Sequence, residues 1–418
     1  VASEVPLVFV HEGTDHASWA RLPRFWNFGP APWQPTRAAS LTGLGTNPWS
    51  LPVALAQPPQ PIVRIKVPLG LDDPTPHIPA ANPPTLAKWQ LGKRLFFDEA
   101  ILQPANVERK RSCATCHPPA QRFADRTVAM GRAPLTLLNT VYRDRLFWDG
   151  RATALEQALH RTPEDERDPG DGLAEARHTW PGVVRRLREQ PDYVRLFQEA
   201  FGCPPTQDTI GKALATYLRT ALSGSSVVDR ARIAVWARSG QDLEARDFEV
   251  ALNPAAIEIL MGSESGRDRT ALAATLWQGY RLFHHKAGCA TCHSGATFTD
   301  NGFHNAGIGD STLPPLPGRE TGYFPFAPLG AKDGRLIGAY QTPTLRDLPR
   351  DGPFFHDGSQ TGLFAVVAVH AKPAPSLNLD RGFRDRGLTP DEVRALVLFL
   401  RALDGGPVPG ELSDAKVR

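Results

Sequence analysis

The five residues Cys-Ala-Thr-Cys-His occur twice, at 113–117 and at 289–293, and they limit what the chain can fold around. Two thiols at this spacing with an adjacent imidazole suit one chemistry above others. The thiols add across the vinyl groups of a porphyrin, and the histidine then lies under the iron as its proximal ligand, the c-type haem attachment signature. Cys113, Cys116 and His117 would hold one haem, and Cys289, Cys292 and His293 a second. Two other uses compete. A zinc site wants four ligands closed into a tetrahedron, which the four cysteines could supply, but zinc does not require a histidine at the same offset in both copies. Thioredoxin-like CxxC chemistry follows a strand in a βαβ unit, and no such pattern surrounds either copy. Cys203 is left over and reads as a packed or idle thiol.

A chain of 418 residues has room for two or three domains, and 41% hydrophobic with 22% charged residues is an ordinary globular balance. The net charge of +3 is too small to argue for nucleic acid or a membrane surface. No apolar run approaches the roughly 18 residues of a spanning helix. The opening VASEVPLVFVHEG lacks a basic region leading into a long apolar core, so it is expected to be a mature start. Covalent haem attachment is normally completed outside the cytoplasm. The haem reading therefore brings the expectation of a periplasmic, exported protein.

Residues 1–80 are rich in proline and tryptophan, with Trp19, Trp26, Trp33 and Trp49, and show little helical periodicity. They are expected to form an irregular, loop-rich extension that packs on something. Apolar residues at helical spacing predict helices in PTLAKWQLGKRLFFD (84–98), PGVVRRLREQPDYVRLFQEAFG, QDTIGKALATYLRTAL, TALAATLWQGYRLFHH and, after the cap-like LTPDEV, EVRALVLFLRAL. Strand-like alternation is scarce, so the fold class is mainly α. An internal repeat organises these pieces. GKRLF at 92–96 matches GYRLF at 279–283, Phe123-Ala-Asp125 matches Phe298-Thr-Asp300, and RDRLFWDG (143–150) lines up with RDGPFFHDG (350–358), placing Trp148 opposite His356. The expected organisation is the extension 1–80, a first haem domain 81–245 and a second haem domain 246–418.

Function then turns on the sixth iron position. An iron with two strong protein ligands moves electrons, and one with an open position binds peroxide or oxygen. In the second unit the further histidines are His304, His356 and His370, and Met261 lies upstream of the motif. His370, in the apolar TGLFAVVAVHAKP, reads on its own as a packed core histidine. In the first unit Met130 and His160 are the ligand types within reach of the motif. Gln157, Glu164 and Glu166 follow the WDGR segment. A carboxylate and an amide over an open haem would move the proton and hold the oxygens in peroxide chemistry; the plain alternative for PEDERD is a solvated acidic loop.

Together, LGKRLFFDEAIL, SCATCH, LLNTVYRDRLFWDGR, LEQA, GCATCH, TPTLRDL, GPFFHDGS and LTPDEVRALVLFLRALDG resemble the bacterial di-haem cytochrome c peroxidase family, which includes the MauG-type enzymes, over residues 80–405. The resemblance implies two cytochrome c-like haem domains, the first reacting with hydrogen peroxide and the second relaying electrons. It implies Trp148 as the relay between them and Gln157 with Glu166, or Glu164 as fallback, as distal acid–base groups. It also places His370 where the family carries the second iron's further ligand, giving a His293/His370 iron. Three departures modify the expectation. The loop after the first motif, VAMGRAP, lacks the family's histidine that closes the first iron, so that iron is expected open at rest, as in the MauG-like branch, with Met130 not bound. His370 replaces methionine or tyrosine, which lowers the second potential. Ala133 stands where an asparagine would help bind an inter-haem calcium ion, leaving the Asp351 and Pro353 carbonyls as its remaining donors. The expected partners are hydrogen peroxide and either a small cytochrome c or copper-protein electron donor or a protein substrate. The alternative is a non-catalytic di-haem electron-transfer cytochrome, with Met130 or His160 closing the first iron.

Overall fold

The computed structural model describes residues 6–10, 25–28, 62–99, 112–124, 133–158, 180–261, 268–309, 321–376 and 378–413. In chain order the described helices are α1 (Leu86–Phe97), α2 (Cys113–Cys116), α3 (Leu155–Ala158), α4 (Trp180–Arg188), α5 (Pro191–Phe201), α6 (Gln207–Arg219), α7 (Val227–Ala237), α8 (Ala245–Ala251), α9 (Pro254–Met261), α10 (Arg269–His284), α11 (Leu363–Ala371), α12 (Pro390–Arg401) and α13 (Gly410–Ser413). The mainly α expectation holds. Where the sequence suggested one helix over 181–202, two form, because Pro191 cannot continue α4 and instead opens α5. Among the described residues no helix is long and apolar enough to cross a membrane.

Part of the Pro/Trp-rich extension is a small sheet that periodicity did not show. Strands β1 (Leu7–Val10), β2 (Phe25–Phe28) and β3 (Ile62–Lys66) run in the order β1-β3-β2, with β1 parallel and β2 antiparallel to β3. Leu7, Phe9, Val63, Ile65 and Val67 alternate inward and join one core with Trp89, Leu91 and Leu95 of α1. Strands of four or five residues give too short an alternation to stand out among prolines. The remaining strands are short: β4 (Phe303–His304) pairs with β5 (Tyr340–Gln341), and β6 (Asp351–Phe354) with β7 (Gln360–Gly362).

The buried apolar residues fall into two clusters. One spans Leu7 to Leu222 together with Leu412, the other Val227 to Leu403. The second core therefore begins at Val227, ahead of the boundary at 245 expected from the sequence, because α7 lies against α8 in the second unit. The sequence repeat is visible in three dimensions. In the first unit α1 crosses α6 at Gly92, where a Cβ would come within 2.0 Å of the Ala213 carbonyl oxygen; in the second, α10 crosses α12 at Gly279, where a Cβ would come within 2.2 Å of the Ala395 oxygen. The glycines shared by GKRLF and GYRLF are thus the points of closest helix approach.

A buried ion pair ties α7 to the loop between β5 and β6, and through Gly70 to the extension. Arg346 Nη1 and Nη2 donate to Asp229 Oδ2 and Oδ1 at 2.7 and 2.9 Å, with the side chains 1% and 0% exposed. Ser226 Oγ also donates to Asp229, and Arg346 Nη2 reaches the Gly70 carbonyl at the end of the extension. Burial alone would raise the Asp229 pKa; Arg346 and Ser226 hold it below the ordinary carboxylate value. Breaking such a pair strands a charge in the interior. Asp229→Ala is expected to destabilise the protein by about 3–5 kcal/mol in denaturant titration. Gly92→Ala and Gly279→Ala should each cost about 1–3 kcal/mol through overpacking, measured the same way, and a neutral result at both would refute the close-crossing account.

Candidate functional site

Each CxxCH segment folds as a single tight turn. In the first copy, Ser112 and Thr115 form a reciprocal cap on α2, and the His117 amide closes on the Cys113 carbonyl at 2.9 Å. In the second, Cys289–Thr291 is a 3₁₀ turn and the His293 amide closes on Cys289, also at 2.9 Å. The two imidazoles are then oriented in the same way. His117 Nδ1 lies 2.9 Å from the Phe123 carbonyl oxygen, and His293 Nδ1 lies 3.2 Å from that of Phe298. A carbonyl only accepts, so Nδ1 carries the hydrogen and Nε2 keeps its lone pair for a metal. Phe123 and Phe298 have φ of 57° and 52°, a left-handed conformation unusual for a bulky residue, and their rings are 0% and 2% exposed. Burial of the rings holds the strained carbonyls in place.

His370 faces His293. It sits on α11, its Nδ1 donates to the Val366 carbonyl at 2.9 Å, and its ring lies between Phe355 and Phe383, each 5.5 Å away between centroids. Two adjoining clefts are both lined by His293 and His370; the remaining walls are largely apolar. Enclosure there and the nearby His370 push the His293 pKa down to about 4, and enclosure lowers that of His370. Two neutral imidazoles lining one largely apolar cleft beside a CxxCH turn are a donor set that fits haem iron.

The thiols point the same way. Burial, then the neighbouring Cys116, pushes Cys113 up to about 12, and burial pushes Cys289 up to about 11. Among the described residues, three metal-ligand atoms come together only at Cys292, Asp300 and His304, so the four cysteines do not converge. His304 is itself accounted for. Its Nε2 lies 2.9 Å from Asp300 Oδ2 and its Nδ1 2.8 Å from Asp380 Oδ2, so both nitrogens donate and the ring is an imidazolium, raised to about 11 with Asp300 the largest cause. The sequence reading saw His304 only as a candidate ligand, because its acidic partners lie four and seventy-six residues away.

Trp148 and His356, aligned by the repeat, meet at the junction of the two units, with ring centroids 6.3 Å apart at 67°. Trp148 Nε1 donates to the Ala133 carbonyl at 2.7 Å, and the Ala133 amide donates to the His356 carbonyl at 2.9 Å. Tyr340 stacks on His356 at 3.5 Å, and the Gln341 amide donates to the Trp148 carbonyl. Trp148 also lines the second cleft together with His293. Asp351 is exposed and Pro353 half-buried on β6, and among the described residues no set of three acidic, histidine or cysteine ligands forms around them. Both backbone groups of Ala133 are taken up by Trp148 and His356.

Gln157, on α3, is exposed and accepts a hydrogen bond from Thr153 Oγ1 at 2.9 Å. Its neighbour Glu156, not singled out from the sequence, anchors that helix: Arg219 grips it with two hydrogen bonds of 2.7 and 2.8 Å and Asn82 adds a third. Burial would raise Glu156, but Arg219 holds it below the usual value. Glu164, Glu166, Met130 and His160 lie outside the described residues.

The chain resembles known proteins over most of its length. The di-haem cytochrome c peroxidase family matches over residues 86–234. The methylamine utilization protein MauG of Methylorubrum extorquens is 34% identical over 366 residues, covering 83% of this chain and 86% of that protein. The cytochrome c551 peroxidase of Nitrosomonas europaea is 26% identical over 348 residues, covering 81% and 86%. The crystal structure of a MauG-like protein associated with microbial copper homeostasis shares the fold, with a TM-score of 0.61 at 22% identity over 81% of this chain and 95% of that one. The chain therefore belongs to the di-haem cytochrome c peroxidase family that includes the MauG proteins, and it is a mainly α, di-haem, peroxide-dependent oxidoreductase.

Proposed function

We propose that this is an exported, periplasmic enzyme whose His117 unit is the site of peroxide chemistry and whose His293 unit is closed by His370. The observation that carries the reading is the pair of neutral imidazoles, His293 and His370, each with Nδ1 bonded to a carbonyl and both lining the same apolar clefts. Covalently attached haem would supply an iron that accepts oxidising equivalents from hydrogen peroxide and exchanges electrons one at a time. In the first unit His117 would hold the iron, and the bound haem would supply the centre that reacts with peroxide. Gln157 holds the oxygens there, and Glu166, or Glu164 in its place, moves a proton from the inner to the outer oxygen. Two electrons and two protons then turn hydrogen peroxide into two waters.

Trp148 is the proposed relay. Its indole N–H donates to an amide carbonyl, which is not a base, so the ring keeps its proton while it gives up and regains an electron. That suits fast return rather than storage. The electrons come from residues of a protein substrate, the reading favoured by a second unit without methionine, or from a small cytochrome c or copper protein. The first haem domain is assigned to the peroxide reaction and the second to the relay.

Two predictions test this assignment. The resting ferric protein should bind one equivalent of cyanide and the His370→Gly variant two; a wild type that binds none would favour an electron carrier with both irons closed. The distal variant Glu166→Gln, or Glu164→Gln if Glu164 is the acid–base group, should slow the peroxide reaction in stopped flow by about 10²-fold or more, while Trp148→Phe should leave that first step intact and slow electron delivery from the second unit.

A further inference from the structure

The repeat extends to the backbone around one buried carboxyl group. Asn139 and Asp347 have φ of 60° and 55°. Each is followed at the same interval by a left-handed phenylalanine, Phe147 (68°) or Phe355 (63°), and then by a left-handed glycine, Gly150 (65°) or Gly358 (69°). They are equivalent positions. Each also reaches the same place in its own unit, the turn after the long helix: Ser223 follows α6 as Gly405 follows α12.

The equivalent side chains differ by one donor. Asn139 bonds to Ser223 in both directions, with Oδ1 accepting from the Ser223 amide at 2.8 Å and Nδ2 donating to its carbonyl at 2.9 Å. Asp347 repeats only half of this. Its Oδ1 accepts from the Gly405 amide at 2.9 Å, while Oδ2, at the position from which Asn139 donates, is buried without a hydrogen-bond partner. The charged groups facing it are Arg122, from the loop after the first haem motif, and Asp404; the Ser223 hydroxyl, the Gly405 amide and Arg122 favour its ionised form, against burial and Asp404. Arg122 is already committed. Its Nη2 grips Asp404 at 2.8 and 3.0 Å, while Nη1 stays 4.0 Å from Asp347 Oδ1 and itself lacks a partner. The neighbouring Arg346 is turned away, to Asp229 and Gly70.

One guanidinium thus stands between two carboxyl groups, and the geometry gives it to Asp404. We propose that Asp347 is held as a neutral carboxylic acid, its proton on Oδ2 serving where Asn139 uses its amide, and that loss of this proton is a pH-sensitive switch at the junction of the two haem units. On ionisation Asp347 competes with Asp404 for Arg122. Arg122 immediately precedes Phe123, whose carbonyl orients His117, so the switch acts on the proximal side of the first unit. Burial and then the charge of Asp404 push the Asp347 pKa upward. A carboxyl raised by folding contributes no penalty while protonated. The folding equilibrium therefore weakens as pH rises above the ordinary carboxylate value, by up to about tenfold per pH unit, until Asp347 ionises in the folded protein.

The test is infrared difference spectroscopy of the haem-loaded protein, wild type minus Asp347→Asn. The expected result is a protonated-carboxyl C=O band that belongs to Asp347, disappears on alkaline titration, and does so together with a shift in the first-unit haem spectrum that the variant lacks. Asp347→Asn should fold with at least wild-type stability at neutral pH, since the amide can repeat the Asn139 pattern. Asp404→Asn, which frees Arg122, should remove the band by letting Asp347 ionise. A difference spectrum with no protonated-carboxyl band, an Asp347→Asn protein that is destabilised or fails to fold, or a band that survives in Asp404→Asn would overturn the proposal.

Discussion

Each half of this molecule is organised around one hydrogen bond, from the Nδ1 of a CxxCH histidine to the carbonyl of a buried phenylalanine in a left-handed conformation. The bond fixes the tautomer, and so decides which nitrogen remains for iron. It also explains why so much structure is devoted to two phenylalanines. Phe123 and Phe298 hold an unfavourable backbone because their rings are enclosed, Phe123 against Phe96 of α1 and Phe298 against Phe283 of α10. Those helices can lie close enough to their partners only because glycine occupies the crossings. A sequence echo of a few residues is therefore a chain of dependence: glycine permits the crossing, the crossing places a phenylalanine, and the phenylalanine places a carbonyl under a histidine.

The junction between the halves follows the same pairing with different residues. Positions that correspond in the repeat, Trp148 and His356, lie against each other and are bridged through both backbone groups of Ala133. Around them the repeat has diverged. One unit has an indole where the other has an imidazole, and Asn139 in one is an aspartic acid in the other. The extension, with no counterpart in the repeat, contributes core residues to the first unit and a carbonyl acceptor for the buried Arg346. Divergence at the junction is what a two-site enzyme needs if electrons are to move in one direction, since identical environments would give the two irons similar potentials.

Much of this was legible in the sequence because haem attachment is a local motif and the repeat is a local echo. The mainly α class, the long helices and the position of His117 and His293 follow from spacing that needs no tertiary information. What stayed hidden depends on partners far apart in the chain. The sheet of the extension joins strands separated by thirty to fifty residues of proline-rich chain, and His304 is clamped between the nearby Asp300 and the distant Asp380. Glu156 looked like any surface carboxylate until Arg219 and Asn82 closed on it. His370 was ambiguous for the same reason: an imidazole on an apolar helix becomes a ligand candidate only when the fold brings it across the cleft from His293.

The central claim is that one unit is open to peroxide and the other is closed by two imidazoles, and low-temperature electron paramagnetic resonance of the resting ferric protein, before and after stoichiometric hydrogen peroxide, tests it most directly. The account predicts one high-spin and one bis-imidazole low-spin ferric signal, with the high-spin signal lost when peroxide is added. Two low-spin signals indifferent to peroxide would contradict it.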